Sequence, residues 1–167
     1  MKFFISVIII FIVSIIFYNY IFSQIVELSP RSCWLNTKQS VMRKAKIEVE
    51  KLILNAEKEG MCLVVTSGYR SEDEQQKIIE KYGELAKKEG SEHLTGLAVD
   101  FTACPMKNGK RDDSVERPEL AKEFKELPEY RWLIENASNY GFVQSYREDN
   151  QEETDVSPEE WHWRFTK

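Results

Sequence analysis

Ser91-Glu92-His93-Leu94-Thr95-Gly96-Leu97-Ala98-Val99-Asp100 is the stretch around which the rest of the chain is organised. It opens polar, sets a glycine three residues after its histidine, and then turns apolar up to an aspartate. Gly96 permits a tight turn after His93, because glycine adopts positive φ without the usual steric cost. The run that follows predicts a strand over residues 97–101, and period-two geometry puts Ala98 and Asp100 on one of its faces. The chain has only two histidines in 167 residues. The second lies in Glu159-Glu160-Trp161-His162-Trp163-Arg164, again beside carboxylates, so chemistry is sought where these two segments meet.

Outward from that stretch, the pattern alternates between helical and extended periods. Val41, Ala45, Val49, Leu52 and Ala56 recur at helical spacing and predict an amphipathic helix from about residue 38 to 58, stopped by Gly60. Residues 61–66 are apolar and β-branched, which predicts a buried strand. Ser71 stands three residues before Glu74, a capping-box spacing that starts a helix and leaves Tyr69 and Arg70 at a strand-to-helix corner. Helical pieces are expected around 118–126 and 128–140, each with a proline near its first turn and the second stopped by Gly141. Strands are expected at 142–144 and 161–165, with polar excursions at 105–116 and 147–157. The order implies an α+β fold with a mostly antiparallel central sheet and flanking helices.

Length bounds the architecture to one domain. If the first two dozen residues lie outside it, about 140 remain, enough to bury ~68% of the unfolded surface. Lys2 is followed by an uncharged apolar run to about residue 22, and roughly twenty such residues span a bilayer. With one positive residue before the run and no small-residue cleavage site after it, 1–23 reads as an uncleaved membrane anchor with an exported remainder, the alternative being a cleaved signal peptide and secretion. Residues 24–37, with Pro30 and neighbouring serines, read as a spacer, and 38–167 as the functional domain. The net charge of −5 and the lack of an evident basic patch argue against a nucleic-acid partner. Cys33, Cys62 and Cys104 make an odd count, so at most one pair forms within a monomer; Cys33 and Cys62 read as structural.

His93, Asp100 and His162 have the composition of a catalytic zinc site: three protein ligands from histidine and carboxylate, with a position left for water. Such a site also needs a separate base. Glu159 serves if the chain turns between it and His162, whereas on an extended segment alternation favours Glu160, and spacing alone leaves both open. Taken singly, each residue has an ordinary role: a hydrogen-bonded histidine, a capping aspartate, a solvated glutamate. Trp161 and Trp163 read as packing groups that frame the site.

Together these residues resemble the zinc D-alanyl-D-alanine carboxypeptidases of the VanY type. The resemblance is carried by Ser67-Gly68-Tyr69-Arg70-Ser71, by Ser91-x-His93-x-x-Gly96-x-Ala98-x-Asp100, by Trp132-Leu133-x-Glu135-Asn136-Ala137 with Tyr140-Gly141-Phe142, and by Glu159-x-Trp161-His162-Trp163-Arg164. It covers nearly everything from about Val41 onward. It implies that His93, Asp100 and His162 hold one Zn2+ per chain, that Glu159 is the base, that Arg70 stabilises the oxyanion, and that Ser91 lies near the substrate's terminal carboxylate. The implied reaction is removal of the terminal D-alanine from peptidoglycan stem peptides. The same fold could instead carry an endopeptidase or an L,D-carboxypeptidase, and a different class would be a non-catalytic zinc-containing cell-wall binding module. Where the family often has E-P-W-H, this chain has Glu160 for the proline, which affects loop rigidity more than metal binding.

Overall fold

The computed structural model describes residues 24–33, 37–83, 90–104, 106–107, 110–111 and 124–167. The apolar run read as an anchor and most of the helical piece expected at 118–126 lie outside them. Among the described residues, no helix is long and apolar enough to cross a membrane.

The first strand is β1 (Ile25–Glu27), which pairs antiparallel with β2 (Ser40–Met42), so part of the stretch read as a spacer is folded onto the domain. Leu28 and Cys33 join the core from it. The first helix, α1 (Arg43–Lys58), therefore starts later than its periodicity suggests. Its residues Ala45, Val49, Leu52 and Ala56 are completely buried, giving one apolar stripe that faces the core. After it come β3 (Leu63–Ser67) and α2 (Glu72–Tyr82). The capping box at the start of α2 forms as expected: Ser71 Oγ accepts from the Glu74 amide while the Glu74 carboxylate accepts from the Ser71 amide.

The central sheet is built from β3, β4 (Ala98–Ala103), β7 (Phe142–Gln144) and β8 (His162–Phe165) in the order β3-β4-β8-β7, with every neighbour antiparallel. A two-residue hairpin, β5 (Met106–Lys107) with β6 (Lys110–Arg111), stands apart within the predicted excursion. The chain returns to the core through α3 (Pro128–Asn136) and a 3-10 turn, Ala137–Tyr140. A one-turn helix, α4 (Gln151–Thr154), lies in the 147–157 region. The fold is α+β, as expected.

Side-chain alternation divides the sheet into two chemical faces. Val99 and Phe101 of β4 and Trp163 and Phe165 of β8 share the core with α1 and α3, together with Leu133 and Phe142. Asp100 and His162 are left on the other face, as period-two geometry requires. Two hydrogen bonds fasten the helices over the core, from Trp132 Nε1 to Glu59 at 2.8 Å and from Asn55 to the Tyr140 hydroxyl at 2.7 Å.

Cys62 and Cys104 are joined by a disulfide, and Cys33 is completely buried. The bridge ties the start of β3 to the end of β4 and closes a loop with a sequence separation of 42 residues. That loop contains Arg70, Ser91, His93 and Asp100. Loop-closure entropy gives such a cross-link about 4 kcal/mol, with measured bridges commonly at ~2–4 kcal/mol. A Cys62→Ser/Cys104→Ser variant is therefore expected to unfold at clearly lower urea concentration with a stability loss of that order. An unchanged urea midpoint would remove the bridge from the list of stabilising features.

Candidate metal centre

The register of the sheet assembles most of the site. Asp100 on β4 stands directly opposite His162 on β8, and Ser67 at the end of β3 pairs with Asp100 from the other side. The β3 register shifts between Val65 and Ser67, a bulge that bends the strand end toward the following loop. His93 arrives separately, on a 3-10 turn, Glu92–Thr95. Gly96 ends that turn at φ 70°, where a Cβ would lie 2.6 Å from Ile25 Cδ1 and 3.0 Å from the Met42 nitrogen. A side chain there would be strained by the left-handed backbone and crowded by Met42, so the glycine three positions after His93 helps set where the imidazole sits.

His93, Asp100 and His162 bring one ligand atom each to within 4.8 Å of one another, and all three side chains are buried. Asp100 Oδ1 lies 3.1 Å from His93 Nε2 and 3.1 Å from His162 Nδ1. The far nitrogen of each ring already has an acceptor. His93 Nδ1 is 2.7 Å from the Gly68 carbonyl, and His162 Nε2 is 3.0 Å from Glu92 Oε2. Each outer nitrogen thus carries its proton, and it is the inner nitrogen of each ring that faces Asp100 Oδ1. A cation that displaces any inner proton there meets three donor lone pairs at one buried point. Two imidazoles and a carboxylate are the donor set of a catalytic zinc site with room for a further ligand. The residues present fit Zn2+.

Electrostatics agree with that reading. Burial would raise the Asp100 carboxyl, but its interactions with His93 and His162 outweigh it and hold the group well below the ordinary carboxylate range. Burial likewise opposes charging of His162, yet hydrogen bonds to Asp100 and Glu92 raise the ring to about 9, whereas burial lowers His93. A pocket that draws a proton onto a buried ring draws a metal cation for the same reason.

Glu159, and not Glu160, faces this centre. The His162 amide donates to the Glu159 carbonyl at 3.2 Å, closing a turn that brings Glu159 Oε2 to 3.8 Å from His162 Nδ1. The Glu159 backbone is fixed on the other side: its amide donates to the Tyr146 carbonyl at 3.0 Å, and Gln144 Nε2 donates to its carbonyl at 3.2 Å. Burial, aided by the negative charge of Asp100 and Glu92, pushes the Glu159 carboxyl up to about 7. Glu160 instead lines an outer hollow with Lys125, Tyr130 and Arg147.

Arg70 also reaches the site. Its Nη2 donates to Asp100 Oδ2 at 2.9 Å, Nε to Ser67 Oγ at 2.9 Å and Nη1 to Gln75 at 3.3 Å. Ser91 is buried two residues before His93, and its side chain makes no capping hydrogen bond to the turn it precedes. Gly68, whose carbonyl orients His93, sits where a Cβ would lie 2.3 Å from the Ser40 carbonyl oxygen. Glu92, Gln75, Gln144 and Ser145 are contributors that residue spacing did not single out. Trp163 packs in the core, and Tyr146 lays its ring against His162 at 4.8 Å between centroids.

Comparison with known proteins gives the same picture. Residues 38–167 match the family described as VanY: D-alanyl-D-alanine carboxypeptidase. A D-alanyl-D-alanine carboxypeptidase of Enterococcus faecalis is 35% identical over 129 residues, which is 66% of this chain and 42% of that one, so this chain spans less than half the relative's length. VanYB in complex with D-alanine-D-alanine superimposes with a TM-score of 0.64 at 28% identity, covering 86% of this chain and 77% of the other. The vancomycin-resistance D,D-pentapeptidase VanY, solved as a variant with Zn(II), gives a TM-score of 0.61 at 25% identity over 83% and 82%. The sequence strings, the antiparallel sheet that carries them and the buried two-histidine, one-aspartate cluster are thus accounted for together: this chain belongs to the VanY D-alanyl-D-alanine carboxypeptidase family.

Proposed function

We propose that this protein is a zinc-dependent D,D-carboxypeptidase, holding one Zn2+ per chain, that removes the terminal D-alanine from peptidoglycan stem peptides. The observation that carries this reading is the buried convergence of His93 Nε2, Asp100 Oδ1 and His162 Nδ1 with the Glu159 carboxyl 3.8 Å from His162 Nδ1. Bound there, zinc supplies a Lewis acid that acidifies water and polarises a carbonyl. Glu159 takes the proton from the attacking water and returns it to the leaving amine, tasks suited to a group that titrates near neutral pH. Arg70 offers fixed N–H donors to negative charge developing on the scissile carbonyl. Its pairing with Asp100 and Ser67 limits the rearrangement needed when that charge appears. The Ser91 hydroxyl is assigned to the substrate's terminal carboxylate.

A binding module needs neither a base nor an oxyanion partner, so the presence of both beside the donor set favours an enzyme. We place the reaction outside the cytoplasmic membrane, with the 3–22 segment as a single-pass anchor. Its apolar length supports this, as does the Cys62–Cys104 bridge, since such bridges persist in oxidising compartments.

The full chain incubated with synthetic stems, with products read by mass, tests the bond chosen. Free-acid pentapeptide is expected to release one D-alanine, and tetrapeptide to be cut far more slowly. A carboxypeptidase pairs the terminal carboxylate, so a C-terminally amidated or extended pentapeptide loses roughly ten- to a hundredfold in rate per buried polar group left unpaired. Equal rates on free acid and amide would favour an endopeptidase, and preferred release from the tetrapeptide an L,D-carboxypeptidase.

A further inference from the structure

The mechanism so far gives no part to the Glu92 carboxylate, although it is held at the edge of the centre by three partners. Its Oε2 accepts from His162 Nε2 at 3.0 Å and from Ser145 Oγ at 2.5 Å, and its Oε1 forms an ion pair with Arg164 Nε at 3.3 Å. These partners come from β8 and from the residue following β7, whereas Glu92 itself opens the 3-10 turn that delivers His93. Neighbouring residues of one turn thus reach both histidines. His93 is aimed at the centre directly, and His162 is held from behind across the sheet.

We propose that Glu92 is a positioning residue for metal binding: it fixes the proton of His162 on Nε2, so that Nδ1 presents its lone pair beside those of His93 and Asp100. This inference rests on the zinc reading of the site. A neutral imidazole has two tautomers, and only the one protonated on Nε2 leaves Nδ1 free to coordinate. For His93 the same selection is made by a neutral acceptor, the Gly68 carbonyl. A carboxylate behind His162 does more than select the tautomer, because its charge makes the ring a stronger electron donor to a cation. Ser145 Oγ donates to the same carboxylate oxygen as His162 Nε2 and holds it behind the ring, whereas Arg164 reaches only the outer oxygen from an exposed position.

The test is the zinc dissociation constant of the apo protein, measured by competition with a chromophoric chelator, for wild type, Glu92→Gln and Arg164→Gln. Glu92→Gln keeps the size of the side chain and an oxygen that can accept from Nε2, but removes the charge and allows the amide to flip. It is expected to weaken zinc about 10- to 100-fold, and to shift the visible bands of the Co2+-substituted protein, with far-UV circular dichroism unchanged. Arg164→Gln removes the outer ion pair and leaves the carboxylate, so zinc affinity is expected to stay within about threefold of wild type, well short of an outer-shell loss. Wild-type affinity in Glu92→Gln would overturn the proposal and make Glu92 a latch between strand and turn, leaving the zinc reading intact. An equal loss in both variants would also overturn it, by tracing the effect to local packing. No zinc binding by wild type would overturn the site reading and this inference with it.

Discussion

Glu159→Gln is expected to leave zinc binding and folding intact while lowering kcat by about 100- to 10,000-fold, the contribution typical of a positioned general base. The substitution keeps the shape of a side chain whose carboxylate oxygen lies 3.8 Å from His162 Nδ1 but removes its ability to take a proton. The backbone contacts that set the turn, from the Glu159 amide to Tyr146 and from Gln144 to the Glu159 carbonyl, do not involve the side chain and should persist. Glu160→Gln is the matched control. Its carboxylate borders the hollow with Lys125 and Arg147, and a change there should stay within about twofold, as for a surface substitution away from the chemistry. Steady-state kinetics with zinc content measured on the same samples separates the two. If Glu160→Gln is the inactive variant and Glu159→Gln retains turnover, the base has been assigned to the wrong neighbour.

That choice of neighbour shows where sequence periodicity ends. His93, Gly96, Ala98 and Asp100 could be read together because their relations are local: a turn, then alternation along one strand. His162 lies 62 residues from Asp100, and the cross-strand pairing that sets them opposite each other is a long-range fact that no local period contains. The choice between Glu159 and Glu160 depended on whether the chain was extended or turned just before β8, and a single hydrogen bond from the His162 amide decides it. Strands β1 and β2 are three residues each, too short to display a period of two against a helix-like background. Their formation is why residues taken for a spacer belong to the core. The cysteine count allowed one bridge without saying which, and only the antiparallel neighbourhood of β3 and β4 brings Cys62 within 5.2 Å of Cys104, Cα to Cα. Glu92 looked like one surface acid among 28 acidic residues. What sets it apart is a partner reached across the sheet, which composition does not record.

His162→Ala is expected to abolish stoichiometric zinc, a larger loss than the 10- to 100-fold that an outer-shell change produces. The substitution removes one of three donors and also deprives two buried or half-buried carboxylates of their shared partner: Asp100 Oδ1 loses Nδ1 and Glu92 Oε2 loses Nε2. Asp100 keeps Arg70 at 2.9 Å and His93 at 3.1 Å, and Glu92 keeps Ser145 and Arg164, so neither carboxylate is stranded. The protein should fold, with some loss of stability, since breaking buried polar pairs costs about 1–3 kcal/mol per group left unsatisfied. Folding and metal binding can then be read in one experiment. Zinc that binds only the native state stabilises it by RT ln(1 + [Zn]/Kd), about 2.7 kcal/mol at a hundred times Kd. Wild type should therefore melt at a higher temperature as zinc is added to the apo protein, whereas the melting temperature of His162→Ala should not respond. Elemental analysis after gel filtration gives the stoichiometry independently. A His162→Ala protein that carries one zinc per chain and melts higher with added zinc would put the metal on other donors. It would also dissolve the link between the β4–β8 register and the chemistry, because that register matters to function only by setting this histidine opposite Asp100.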